Sequence, residues 1–173
     1  NLPSRPPFIV AGNHGDYSDP WLFSYATTTR SQIIHWLAKK EVFDSEILAR
    51  DLRGLPGLKY AWVAKIFGSF CTWMIRGSYI IPVDRENNFS AINLKIWPRV
   101  KEALKKGHVV GIFPEGGLKR QGEMKTGIGK FAIKANKDLG VYIPIVPVFR
   151  QGRLIIIGQS IDPRDFSDPE VLA

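Results

Sequence analysis

The sequence contains a single cysteine, Cys71, among its 173 residues. One thiol cannot form an internal disulfide or a multi-thiolate metal site, so a disulfide-stabilised secreted domain and a cysteine-rich zinc fold are both excluded. Redox chemistry within the chain is disfavoured for the same reason. The composition therefore predicts a chain kept under reducing conditions, with Cys71 as a small, buried apolar residue.

Long apolar runs are also missing. The two longest, residues 66–75 and 139–149, reach about half of the roughly 18 residues that a helix needs to cross a bilayer. The chain does not begin with methionine and shows no signal-peptide pattern. We therefore expect any membrane anchor to lie outside these residues.

Metal and nucleotide motifs are likewise absent from the sequence. His35 and His108 have no acidic neighbours at metal-ligand spacing, so we expect them to be structural. The glycine-rich segment near residue 116 is not a Walker loop, because Lys119 is not followed by serine or threonine. No metal and no cofactor is expected.

What is present is an ordinary globular composition with an excess of positive charge. Hydrophobic residues make up 45% and charged residues 23%, which indicates one compact domain. Lysine and arginine number 24 against 16 acidic residues, giving a net charge of +8. Phosphate, nucleic acid and an anionic membrane are the candidate partners, although no nucleic-acid-binding motif is present.

Short apolar runs alternate with amphipathic segments along the chain. The runs predict strands at residues 8–12, 79–83, 108–113, 141–149 and 153–158, with a hairpin turn at 150–152. Helices are predicted from residue 20 to about 37, with an interruption allowed at 27–29, and over residues 45–52, 60–74, 89–106 and 128–139. The helix at 60–74 is expected to be mostly buried, and Pro82 places its strand at a sheet edge or a strand end. The alternation predicts an α/β fold with a central sheet.

His14 and Asp19 lie on a turn between the first strand and the first helix. If Asp19 accepts a hydrogen bond from one ring nitrogen of His14, the other nitrogen can take a proton from a hydroxyl or a thiol. Asp16 is a rival partner for His14. The structural alternative is that Asp19 before Pro20, or Ser18, caps the helix and His14 is a polar turn residue.

A second candidate site follows the strand that ends near residue 113. Gly116 and Gly117 would let backbone N–H groups approach an anion closely. Lys119, Arg120 and Lys125 would supply the countercharge. The alternative is a glycine-rich surface turn with solvated cations.

Two further segments and the tryptophans are less specific indicators of a functional site. Asp84-Arg85 follows a strand and by itself is more often a surface ion pair than a binding site. Residues 143–148 contain two prolines and are typical of an edge or core strand. The tryptophans could face a membrane, but core positions are favoured at helical spacing; they are residues 21, 36, 62, 73 and 97.

Taken together and in this order, these segments resemble the glycerolipid acyltransferase family, the lysophosphatidic acid and glycerol-3-phosphate acyltransferases. The resemblance rests on four ordered blocks: Asn13-His14 with Asp19, Gly77 to Asp84-Arg85, Phe113-Pro114-Glu115-Gly116, and Val146-Pro147-Val148. Each block alone is weak, but four in order over most of the chain are specific. Many members continue the third block with Thr, Arg and Ser, whereas this chain has Gly117-Leu118-Lys119-Arg120, which leaves the acceptor open.

The resemblance implies transfer of a fatty acyl group from acyl-CoA or acyl carrier protein to a hydroxyl of lysophosphatidate or a related glycerol phosphate, in phospholipid biosynthesis. It implies that His14 is the general base and that Asp19 orients it. The acceptor site implied by the family comprises Arg85 as the phosphate ligand, with Glu115, Gly116, Gly117, Lys119 and Arg120.

The family also implies a fold and a location. The fold is a mixed central sheet with helices on both faces, with residues 1–173 as a single acyltransferase domain that lacks the N-terminal membrane-docking segment common in members. The expected location is peripheral, at the cytoplasmic face of a membrane, with an anionic membrane surface as a partner. Two alternatives are a non-catalytic basic module that binds anionic lipid or nucleic acid, and a thioester hydrolase that uses the same His–Asp pair.

Overall fold

The computed structural model describes residues 2–16, 18–28, 32–52, 60–77, 79–83, 89–116 and 127–165. The strands in these ranges are β1 (Ile9–Gly12), β2 (Ile34–Lys39), β3 (Ile80–Val83), β4 (Val109–Ile112), β5 (Ile145–Gln151) and β6 (Leu154–Ile157). The α-helices are α1 (Asp19–Thr27), α2 (Ser45–Leu52), α3 (Ala61–Gly77), α4 (Phe89–Lys105) and α5 (Gly127–Leu139). Short 3₁₀ helices cover Lys40–Phe43 and Pro163–Asp165.

The strands form one mixed sheet in the order β3-β2-β4-β1-β5-β6. The first five strands of that order are parallel to one another, and β6 returns antiparallel to β5. The carboxyl ends of β1 to β5 therefore lie along one edge of the sheet. Pro82 lies in the edge strand β3, which confirms the position expected from its missing N–H group.

Helices cover both faces of the sheet, as predicted. Along β1, Ile9 packs with α4 and α5, while its neighbour Val10 packs with Phe23 of α1. This alternation follows from the two-residue period of a strand. Strands buried on both sides in this way are typical of parallel sheets that lie between helices.

The prediction of a first helix that continues to about residue 37 is wrong in its second half. Helix α1 ends at Thr27, and Ile34–Lys39 forms strand β2 between β3 and β4. Trp36 packs on one face of the sheet and Leu37 on the other. Because both faces of this inner strand are covered, its apolar residues do not alternate with polar ones, and their spacing matched a helix by coincidence. His35 consequently lies on a strand.

The predicted burial of the helix at 60–74 is also wrong, although the helix itself is confirmed. Four large apolar side chains of α3 are exposed, and only its opposite face packs against α2. Cys71 on this helix is half-buried, not fully buried. None of the described helices is long and apolar enough to span a bilayer.

Candidate active site

The residues of the first and third sequence blocks meet at the carboxyl edge of the sheet. His14 follows β1, Glu115 follows β4, and Arg150 lies near the end of β5. Because β1 lies between β4 and β5 in a parallel arrangement, the chain positions after these strands converge. A cleft at this edge is where open α/β sheets usually bind their ligands.

His14 and Asp19 form a hydrogen-bonded pair. The His14 Nδ1 atom lies 3.3 Å from Asp19 Oδ2, and the Asp19 side chain is fully buried. The same Oδ2 accepts hydrogen bonds from the backbone N–H groups of Gly15 and Asp16, each at 2.7 Å. Asp19 is thus turned back onto the preceding loop and does not cap the helix, whose N-cap residue is Ser18. Of the alternatives open from sequence, the geometry supports the oriented pair.

Asp16, the rival partner, makes other contacts. Its Oδ1 accepts hydrogen bonds from the backbone and hydroxyl of Ser18, and its Oδ2 lies 2.7 Å from Arg150 Nη1. The Asp16 carboxylate therefore stabilises the loop through Ser18 and Arg150, and Asp19 is the hydrogen-bond partner of His14.

Arg150 is the member of the site that the sequence did not reveal. Its Nη1 atom donates to Asp19 Oδ1 at 2.6 Å and also contacts Ser18 Oγ at 3.1 Å. Its backbone is held by Asn13, whose Oδ1 accepts from Arg150 N at 2.7 Å and whose Nδ2 donates to Arg150 O at 3.0 Å. From sequence, residue 150 was assigned to a hairpin turn. The sequence did contain one signal for Arg150: it is a cation two residues after the fourth block, near the end of a strand that is parallel to its neighbour β1.

An aromatic stack fixes the plane of the His14 ring. His14 stacks on Phe113 with ring centroids 4.1 Å apart, and Phe113 stacks on Trp36 at 4.7 Å. Trp36 lies directly over Gly111, where an added Cβ would come within 2.4 Å of the indole ring. Glycine is therefore required at position 111 for the stack to form.

Glu115 supports the same loop. Its Oε2 accepts a hydrogen bond from the backbone N–H of His14 at 3.2 Å, and the residue is only 5% exposed. Gly116, the next residue, has a φ of 76°, a conformation that favours glycine. The third block thus contacts the first block directly.

Burial lowers the pKa of His14 below its usual value of 6.5. The hydrogen bond and charge of Asp19, followed by the charges of Glu115 and Asp16, raise the pKa and only partly offset the burial. His14 is consequently neutral at pH 7. With Nδ1–H directed at Asp19, the lone pair resides on Nε2, so the ring can accept a proton there.

Several residues of the predicted acceptor site lie outside the described residues: Arg85, Gly117, Lys119 and Arg120. Within the described ranges, no group of three or more histidine, cysteine, aspartate or glutamate residues could hold a metal. His35 and His108, expected to be structural, hydrogen-bond to each other at 2.9 Å. They lie at the amino ends of β2 and β4, the sheet edge opposite His14.

An oriented, neutral histidine at the carboxyl edge of a parallel sheet is suited to an enzyme that removes a proton from a nucleophile. The chain belongs to the Acyltransferase family, whose model matches residues 59–151, more than half of its length. The resemblance noted from the four blocks is thereby confirmed, and the protein is an acyltransferase enzyme. The matched residues include the whole of the second, third and fourth blocks, and they begin after the first block, which contains His14 and Asp19.

A curated relative extends the similarity over nearly the whole chain. The chain is 27% identical over 187 residues to the 1-acyl-sn-glycerol-3-phosphate acyltransferase of Bacillus subtilis (strain 168). The alignment covers 96% of this chain and 73% of that protein. No solved structure gives a significant match.

Proposed function

We propose that this acyltransferase moves a fatty acyl group from an acyl thioester to a hydroxyl of lysophosphatidate or a related glycerol phosphate, with His14 as the general base. The observation that carries the proposal is the contact between His14 Nδ1 and the fully buried carboxylate of Asp19, which leaves Nε2 for a substrate proton. The name of the Bacillus subtilis relative supports the choice of acceptor.

The reaction needs one proton to move twice. His14 Nε2 takes the proton of the acceptor hydroxyl as its oxygen attacks the thioester carbonyl carbon, forming the new C–O bond. The tetrahedral intermediate collapses, the C–S bond breaks, and the imidazolium returns the proton to the leaving thiolate. The products are the ester and a free thiol. No acyl-enzyme is required, because the thioester is already activated.

Asp19 and Arg150 support the charged stage of this cycle. When His14 becomes an imidazolium, the Asp19 carboxylate lies beside Nδ1 and stabilises the positive charge. Three hydrogen bonds hold that carboxylate in place before the reaction begins: two from backbone N–H groups and one from Arg150. A preorganised carboxylate spends little free energy on rearrangement during the proton transfer.

The acceptor phosphate requires a cation other than Arg150, whose guanidinium already contacts Asp16 and Asp19. We assign this role to Arg85, with Lys119 and Arg120 as further ligands. Glu115, Gly116 and Gly117 complete the acceptor site in this proposal. The net charge of +8 suits either donor, acyl-CoA or acyl carrier protein, and a peripheral position at the anionic, cytoplasmic face of a membrane.

A matrix of donors and acceptors tests the proposal. Purified protein is incubated with acyl-CoA or acyl carrier protein thioesters and with lysophosphatidate, glycerol 3-phosphate or no acceptor, and the products are identified by mass. We expect an acylated glycerol phosphate that forms only when both substrates are present. Thioester loss at the same rate without any acceptor would instead identify a hydrolase, and binding without turnover a non-catalytic module.

A further inference from the structure

Helix α3 presents a row of large apolar side chains to solvent. Trp62 is 67% exposed, Ile66 64%, Phe70 51% and Trp73 71%. We call these four residues the α3 stripe. We propose that the α3 stripe docks the protein on a bilayer surface that contains anionic lipid.

The stripe forms one continuous face. Steps of four, four and three residues keep the four side chains within about 80° of one another around the helix and spread them over about 16 Å of its length. The surface of a soluble protein commonly exposes single apolar residues, but a contiguous row of this size marks an interaction site. We therefore expect the stripe to contact an apolar partner.

The opposite face of α3 shows why the stripe points outward. Ala64 and Gly68 are buried against α2, and a Cβ added to Gly68 would lie only 3.0 Å from the Ala49 Cβ. This close packing of small residues fixes the rotation of α3 about its own axis. Turning the stripe inward would require the two helices to separate.

The chemistry of the face matches a lipid surface. Tryptophans stand at both ends of the stripe, and the indole ring is favoured at the interface between lipid headgroups and acyl chains. Lys65 lies exposed along one side of the stripe, and Ala61–Gly77 includes two cations and no acidic residue. Apolar anchors flanked by positive charge, with no carboxylate to repel anionic headgroups, characterise helices that lie in a membrane surface.

The position of α3 relates this surface to the candidate active site. Both α2 and α3 contact the 3₁₀ helix Lys40–Phe43, which begins directly after the carboxyl end of β2. His14 lies at the same edge of the sheet. If the acceptor is a lipid, a premise that rests on the proposed function, docking through α3 would bring this edge towards the bilayer that supplies it.

Sedimentation with vesicles tests the surface without any turnover. The vesicles are phosphatidylcholine alone or phosphatidylcholine with about one-third phosphatidylglycerol. We expect the protein to sediment with the anionic vesicles and to be released as salt screens the charge. Ile66→Glu and Phe70→Glu should each weaken this binding at least about tenfold, because a charged side chain replaces an apolar anchor.

The matched control is Leu154→Glu, a substitution at a residue that is 58% exposed on the edge strand β6, away from the stripe. It adds the same charge and should bind vesicles like the unaltered protein. All three variants should retain the unfolding midpoint, since the replaced side chains are exposed. Vesicle binding that is absent in the unaltered protein, or equal in the stripe variants, would overturn the proposal.

Two further measurements distinguish membrane docking from a subunit interface and test docking separately from acyl transfer. If the stripe variants dissociate a dimer in sedimentation velocity but keep their vesicle binding, the stripe is a subunit interface and the proposal is wrong. Acyl transfer to detergent-dispersed acceptor should be unchanged in Ile66→Glu, while transfer to vesicle-borne acceptor falls. Stripe-dependent vesicle binding without any acyl transfer would retain the docking surface and reject only the proposed reaction.

Discussion

Arg150 and Asp19, 131 positions apart in the chain, are joined by a hydrogen bond of 2.6 Å between Nη1 and Oδ1. The other oxygen of Asp19 contacts His14. The carboxylate is therefore held from both sides, by a cation and by the histidine that it orients. Asn13 anchors the backbone of Arg150 and so ties the end of β5 to the loop after β1.

Replacing Arg150 with methionine should reduce kcat/KM about 100-fold, because small displacements of an orienting group are costly in the transition state. Loss of the cation also leaves the charge of Asp19 less compensated, which should raise the pKa of His14 and move the acidic limb of the pH profile upward. Arg153→Met, an exposed arginine on the adjacent turn, is the control. A reduced rate with an unmoved pH profile would indicate a purely structural role.

His14→Ala should lower kcat by about 1,000-fold while the protein remains folded, since a positioned general base contributes roughly that factor. Steady-state acyl transfer and circular dichroism measure the two effects. His108→Ala, at the opposite edge of the sheet, should keep most of the activity. A His14 variant with a full rate would reject the mechanism.

The pH dependence follows from the lowered pKa of His14. The base is active when neutral, so kcat/KM should fall as the pH drops, with a midpoint below 6.5. Asp19→Asn removes the hydrogen bond and the charge that raise this pKa, so the midpoint should move still lower while the maximal rate falls. An acidic limb centred above 6.5 in the unaltered enzyme would contradict this assignment.

Gly111→Ala should destabilise the protein by about 1–3 kcal/mol, the usual cost of overpacking a filled core. The new methyl group would overlap Trp36, whose ring supports Phe113 and, through it, His14. Thermal unfolding and kcat should therefore both fall. Gly140→Ala tests strain alone, because its φ is 63° and no atom lies near the added Cβ; its activity should be unchanged.

Arg85→Ala should raise the KM of the phosphorylated acceptor far more than that of the thioester donor. The reason is the loss of the charge-assisted contact that we propose between Arg85 and the acceptor phosphate, a contact in which the thioester group of the donor takes no part. Arg99→Ala, an exposed arginine on α4, is the matched control. An unchanged acceptor KM would remove Arg85 from the proposed phosphate site.

Local patterns were sufficient for most elements of the fold. The helix at Ser45–Leu52 was predicted with both its bounds, and strands β1, β3 and β4 were predicted to within one residue at each end. These segments have turn or capping residues at their ends and a clear period of apolar residues, so neighbouring residues suffice to define them. Strand β2 was missed because burial on both faces removed its alternation.

The candidate site likewise has features that the sequence predicted and features that only the structure revealed. The sequence alone determined the His14–Asp19 spacing, the ordered blocks and the net charge, since each depends on residue types and short separations. Tertiary structure decided that Asp19 turns back to His14, that Arg150 reaches Asp19, and that the apolar row of α3 faces solvent. The sequence allowed the first of these as one of two local alternatives. The other two depend on which strands lie side by side and which helix face is covered, and residues far apart in the chain carry no local signal of either.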